Sequence, residues 1–138
     1  MSEFVAFPSV APRPLKDRVI LVTGAHGGLG AEAAKACARA GATVVLLGRK
    51  VPKLGRVYDA IKAIGPEPAL YPMDLAGADP ADMEALADAL GRELGRLDGL
   101  LHCAADFHGL TPLENTPPEQ FARQVQVNLN ARWYLTQA

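Results

Sequence analysis

The stretch Val19-Ile20-Leu21-Val22-Thr23-Gly24-Ala25-His26-Gly27-Gly28-Leu29-Gly30 constrains this chain more than any other. An apolar, mostly β-branched run meets a cluster of glycines, and an alanine-rich segment follows at once. That order predicts a strand, a tight turn and a helix N-terminus. Glycine permits backbone conformations and close approaches that a Cβ would block. The helix start presents unpaired N–H groups and the positive end of the helix dipole. Together these features suit a pyrophosphate.

The same alternation continues along the chain. Hydrophobic patterning and breaker residues predict strands at about 19–23, 43–47, 69–73 and 99–103. Helices are expected at about 29–40, 51–64, from Pro80 onward and at about 118–136. Asp79-Pro80 has the form of an N-cap followed by a proline at the first helical position. The expected inner faces are Ala33, Ala36, Cys37 and Ala40 in the first helix, and Leu54, Tyr58, Ile61 and Ile64 in the second. Met83, Leu86, Leu90 and Leu94 form the third. Four βα units in series imply an α/β, Rossmann-type doubly wound parallel sheet with strand order 3-2-1-4. Residues 1–15, rich in proline, are expected to form a flexible arm ahead of a dinucleotide-binding domain at 16–138.

With 138 residues, nearly half of them apolar, the chain can bury one sizeable core. The net charge of −1 and the lack of basic runs argue against nucleic-acid and membrane-surface partners. The apolar runs are too short for a membrane span, and the N-terminus does not have the form of a secretory leader. Cys37 and Cys103 have neither metal-ligand nor disulfide spacing, so a reducing, cytoplasmic setting is expected and no metal.

The glycine spacing is Thr-Gly-x-x-x-Gly-x-Gly, not Gly-x-Gly-x-x-Gly. It resembles the cofactor motif of the short-chain dehydrogenase/reductase family. The resemblance extends over about residues 15–138 through Asp74, through His102-Cys103-Ala104-Ala105 and through Val127-Asn128-Leu129-Asn130-Ala131. Leu47-Gly48-Arg49 and Arg96-Leu97-Asp98-Gly99 place it nearest a bacterial branch of that family.

The resemblance implies a nicotinamide dinucleotide held by Thr23, Gly24, His26, Gly28, Leu29 and Gly30. Asp74 would meet the adenine amino group, Leu75 would flank the ring, and Ala104 would border the cofactor. The end of the second strand distinguishes NADP from NAD. A carboxylate there would bond the ribose 2′-hydroxyl and mark NAD. Here Gly48 is followed by Arg49 and Lys50, so a guanidinium can grip a 2′-phosphate, and NADP is expected over NAD. His26 could touch a phosphate or sit as a loop residue in water; His102 reads as a polar strand end.

The fourth-strand motif departs from the family's Asn-Asn-Ala-Gly, because Cys103 lacks the amide and Ala105 adds a Cβ. Asn128 falls on a helical stripe with Phe121, Val125 and Leu135, where an amide must find partners. The family's catalytic asparagine stands there. Leu129 and Trp133 give this helix a second apolar face, which predicts homo-oligomerisation.

By the same resemblance, hydride transfer needs a Ser on strand five and a Tyr-x-x-x-Lys on the next helix, and the chain stops before both. Its serines are Ser2 and Ser9. Tyr58-x-x-x-Lys62 has the right spacing in the wrong helix. Two readings follow: the cofactor-binding part of an NADP-dependent oxidoreductase acting on a carbonyl or alcohol, or a stand-alone, non-catalytic NADP-binding module.

Overall fold

The structure, a computed structural model, describes residues 12–138. The part of the expected arm at residues 1–11 lies outside the described residues. Four strands alternate with helices: β1 Val19–Thr23, α1 Gly28–Arg39, β2 Thr43–Gly48, α2 Val51–Lys62, β3 Ala69–Pro72, α3 Pro80–Leu94 and β4 Gly99–His102. A short 3-10 turn, Leu113–Asn115, precedes a composite last helix: α4 Pro118–Val125, a π-turn Gln126–Asn130 and α5 Ala131–Gln137. The strands form one parallel sheet in the order β3-β2-β1-β4, as the series of βα units requires. Val22 of β1 aligns with Leu46 on one side and Leu101 on the other.

Strand side chains alternate between two cores. Leu21, Val45 and Leu47 face α3 and α5 through Met83, Leu86 and Leu135. Ile20, Val22, Val44 and Leu46 face α1 and α2 through Ala34, Ala38, Leu54 and Ile61. The sheet is therefore covered on both faces, and its carboxyl ends open together on one rim. β4 is only half-buried, since β1 is its one strand neighbour among the described residues. Leu15 also packs on the second core, and its N–H donates to the Ala40 carbonyl at 2.9 Å. Among the described residues no helix is long and apolar enough to cross a membrane.

Several helix faces differ from expectation. The buried positions of α1 are Gly30, Ala34 and Ala38, while Ala36 is exposed. Close packing of Gly30 on the turn sets the rotation of the helix, and the i+4 stripe follows from it. In α2 the buried residues are Leu54, Val57 and Ile61; Ile64 lies beyond the helix end and is exposed. α3 has the predicted Asp79 cap, completed as a capping box with Asp82.

The largest departure is in the last helix. A continuous α-helix would align Phe121 and Val125 with Asn128 and Leu135. The π-turn adds a residue and rotates everything after it by roughly 100°. The buried stripe becomes Val127, Ala131 and Leu135, and Phe121, Leu129 and Trp133 are exposed.

Candidate functional site

A cleft of about 220 Å³ opens at the carboxyl ends of the strands. It is lined from β1 by Gly24 and His26, from β2 by Gly48 and Arg49, from β3 by Asp74 and Leu75, and beyond β4 by Ala104 and Asp106. In open α/β sheets this rim, where the strand order reverses, is where ligands bind.

The turn after β1 is built on two obligatory glycines. Gly24 has φ +60°, and a Cβ on it would lie 2.7 Å from the Ala104 backbone. A Cβ on Gly30 would lie 2.2 Å from the Gly24 carbonyl oxygen. Both glycines serve packing. Gly28 differs, since a Cβ there would meet nothing within 4 Å. Packing does not require glycine at that position, and its bare face leaves room for a ligand. The first helical bond of α1 runs from the Ala31 N–H to the Gly27 carbonyl at 2.8 Å. The amides of Gly28, Leu29 and Gly30 are therefore first-turn donors without helical acceptors. Gly27 offers no side-chain cap, and no acid lies in the first turn. This is an open cradle of N–H groups at a positive helix end, which fits a pyrophosphate.

Arg49 is exposed at the cleft edge. Among the described residues no carboxylate pairs with it. Asp74 is also exposed, and its Oδ1 accepts from the Ala76 N–H at 3.0 Å, so one oxygen caps the turn. Leu75 borders the cleft yet is mostly buried in the first core. His26 is not a ring in open water. It is partly buried against Gly48, where a Cβ would lie 2.5 Å from its Nδ1. Burial, with Lys50, Lys53 and Arg49 nearby, pushes its pKa below the usual 6.5.

Other expected cofactor residues do not face the cleft. Thr23 is 1% exposed. Its Oγ1 accepts from the Ala104 N–H at 3.1 Å and donates weakly to the Leu101 carbonyl at 3.5 Å. That hydroxyl ties β1 to the segment after β4. Leu29 is 77% exposed and does not line the cleft.

Asn128 lies in the π-turn and bonds the Asp106 backbone twice. Its Oδ1 accepts from the Asp106 N–H at 2.9 Å, and its Nδ2 donates to the Asp106 carbonyl at 2.8 Å. The amide is thus satisfied by neighbouring backbone, and it fixes the loop beside the cleft. Arg123 Nε sits 3.4 Å from the Asp106 carboxylate, with His108 Nε2 at 3.1 Å. Arg132 Nη2 donates to the Ala104 carbonyl at 2.8 Å. Gln126 Nε2 donates to the carbonyls of Leu75 and Ala78 at 3.2 and 2.9 Å, holding the β3 loop. Arg123, Gln126 and Arg132 were not singled out by sequence. Their helical placement toward the sheet was the available signal, and the π-turn obscured it.

Tyr58 and Lys62 stand apart from the cleft. Tyr58 donates to Glu67, and Lys62 pairs with the same carboxylate at 3.6 Å. His102 Nε2 lies 2.9 Å from Thr136 Oγ1, and burial near Arg132 lowers its pKa.

Comparison with known proteins agrees with this geometry. A family model described as short chain dehydrogenase matches residues 18–138. The uncharacterized oxidoreductase YciK of Escherichia coli is 42% identical over 125 residues, which is 90% of this chain and 50% of that protein. A Pseudomonas syringae structure assigned to the short-chain dehydrogenases superposes with a TM-score of 0.89 at 46% identity, over 96% of this chain and 55% of that one. An Escherichia coli CFT073 structure with the same assignment, complexed with NADPH, gives 0.88 at 41% identity, over 94% and 54%. The chain spans about half the length of each of these proteins.

Proposed function

We propose, since the chain belongs to the short-chain dehydrogenase family, that it is the NADP-binding part of an oxidoreductase acting on a small carbonyl or alcohol. The observation that carries this reading is the α1 start, where Gly27 lines the cleft and the next residue, Gly28, faces open space, set on the same cleft as Arg49, a guanidinium with no carboxylate partner among the described residues. A relative at 41% identity complexed with NADPH supports the choice of cofactor.

The bound nicotinamide would supply the hydride acceptor or donor. The amides of Gly28, Leu29 and Gly30 bind and orient the diphosphate. Gly24 keeps the turn close to the segment after β4, and Gly30 seats α1 on Gly24. Arg49 binds the 2′-phosphate through charge-assisted hydrogen bonds. Asp74 receives the adenine amino group on the oxygen its turn leaves over, with Leu75 as the apolar floor. Ala104 borders the cofactor, its place set by Thr23 and Arg132. Asn128 acts through the Asp106 backbone and is a positioning residue in the described structure. The exposed side chains of Phe121, Leu129 and Trp133 suit self-association through the last helix, and a cytoplasmic setting suits the cofactor.

Fluorescence titration with NADPH and NADH, on the protein and on Arg49→Ala, tests the reading. A hydrogen bond to a charged group contributes about 1.5–3 kcal/mol, so NADPH should bind roughly ten- to a hundredfold tighter than NADH, and Arg49→Ala should remove that preference. Equal affinities unchanged by the substitution would contradict it.

A further inference from the structure

The β4 side of the cleft carries an ion pair that neither the diphosphate cradle nor Arg49 accounts for. Asp106 and Arg123 both line the cleft, one from the segment after β4 and the other from α4. The Asp106 side chain is 13% exposed. A carboxylate that has lost most of its water needs fixed partners. Asn128 holds the Asp106 backbone through both its N–H and its carbonyl. Its Oδ2 meets two side chains, His108 Nε2 at 3.1 Å and Arg123 Nε at 3.4 Å. This is an anchored acid, unlike the pair of Arg92 with Glu93, whose side chains are both mostly exposed.

The arrangement decides which part of Arg123 is left over. A guanidinium is planar and carries its N–H groups in a fixed fork geometry. Arg123 meets Asp106 through Nε, and among the described residues no second carboxylate pairs with it. The edge formed by Nη1 and Nη2 is therefore free to take another acceptor. Two parallel N–H groups on a rigid plane match the two oxygens of a carboxylate. Position adds a second constraint. Arg49 and Asp74 stand on the β2 and β3 side of the cleft, and the α1 start follows β1. On the NADP reading these take the adenosine and the diphosphate, which leaves the β4 side to the reacting end. Asp106 and Arg123 are neutral as a pair. They exert little long-range pull on the cofactor's phosphates and favour a short, two-bond contact.

Resting on the NADP reading above, we infer that Arg123, aimed by the anchored Asp106, binds the carboxylate of an acidic carbonyl substrate. The substrate class is then the oxo acids and their hydroxy acid counterparts. Arg123 makes the contact, and Asp106 is a positioning residue that acts through it.

NMR titration of the protein loaded with NADP+, with pyruvate and with methyl pyruvate as probes, tests this without turnover. The two carbonyl compounds differ in the charge of one group. Pyruvate should bind at least about tenfold tighter than its ester and should shift the guanidinium signals of Arg123. Arg123→Lys keeps the charge and loses the fork, so the preference for pyruvate should fall about tenfold while NADP+ affinity holds. Arg123→Gln is the second variant if the lysine perturbs folding, which circular dichroism reports, and it should abolish the preference. In Asp106→Asn the fork is no longer aimed, so adding Arg123→Lys should cause no further loss. A full additional loss there would overturn the role of Asp106. Equal binding of the two probes, or no binding of pyruvate at millimolar concentration, would overturn the inference and leave the NADP reading standing. So would an NADP+ affinity that falls in step with that of pyruvate in Arg123→Lys, since Arg123 would then serve the cofactor. Failure of the protein to bind NADP+ at all would defeat both.

Discussion

The turn after β1 and the segment after β4 meet at the same cleft, yet they are held in opposite ways. The turn is held by missing atoms: Gly24 and Gly30 allow contacts that any Cβ would forbid. The segment after β4 is held by added atoms. Thr23, Asn128, Arg132 and Arg123 reach it from β1 and from the last helix, bonding the backbone of Ala104 and Asp106 or its carboxylate. The turn is rigid through sterics, with Gly30 seated on Gly24 inside the turn and Gly24 pressed on the distant Ala104 backbone. The β4 segment is rigid through hydrogen bonds and an ion pair whose partners are 17 to 81 residues away. Substitutions should therefore fail abruptly in the first region and by degrees in the second.

The largest effect is expected at Gly30. Gly30→Ala puts a Cβ against a backbone oxygen that cannot swing aside, and should destabilise the fold by about 3 kcal/mol or more in urea unfolding. A loss under ~1 kcal/mol would show that the turn yields, and the contrast would weaken.

Asn128→Ala comes next. It leaves the Asp106 N–H and carbonyl without their partner, which costs about 1–3 kcal/mol if water cannot replace it. The loss should be accompanied by faster amide exchange at Asp106, and protection unchanged there would remove Asn128 from the loop's support.

How much of this was legible in the sequence follows the same division. The glycine turn, the strand order and the Asp79 cap rest on local chemistry, and the structure has them. The glycine string did not reveal that Gly30 packs while Gly28 is open, because that depends on where the helix lands. The Asn128 stripe failed because no local residue marks a π-turn; one inserted position moved Phe121 to the surface and Val127 to the core. Of the two readings of His26, the ring in open water does not hold, for a related reason. Its seat is an absence on β2, and a glycine there reads as a strand end until the ring is seen above it. Asp98 was read only as part of a family-like string. It accepts from the Val19 N–H at 2.8 Å and is forked by Arg96, and together these hold its carboxyl well below the usual range.

The smallest effect is on pH dependence. His26 and His102 both have pKa values lowered from 6.5, chiefly by burial. As pH falls through 6.5 the unfolded chain binds protons before the folded one does, so stability drops as pH falls. Melting temperature should decline modestly from about pH 7.5 to 5.5, and less in His102→Gln. A rise over that interval would contradict the burial of both rings. Asp98 gives a separate loss in strong acid, as pH falls below its unfolded value of 3.8 toward its depressed folded value.

Gly28→Ala addresses the account's central claim most directly, through paired measurements of melting temperature and NADPH affinity. Because its Cβ meets open space and alanine favours a helix by up to about 1 kcal/mol, the melting temperature should hold or rise. NADPH affinity should nonetheless fall by at least about tenfold, roughly 1.4 kcal/mol, as the methyl group occupies the approach to the first-turn amides. Retention of full affinity along with full stability would contradict a dinucleotide resting on this turn.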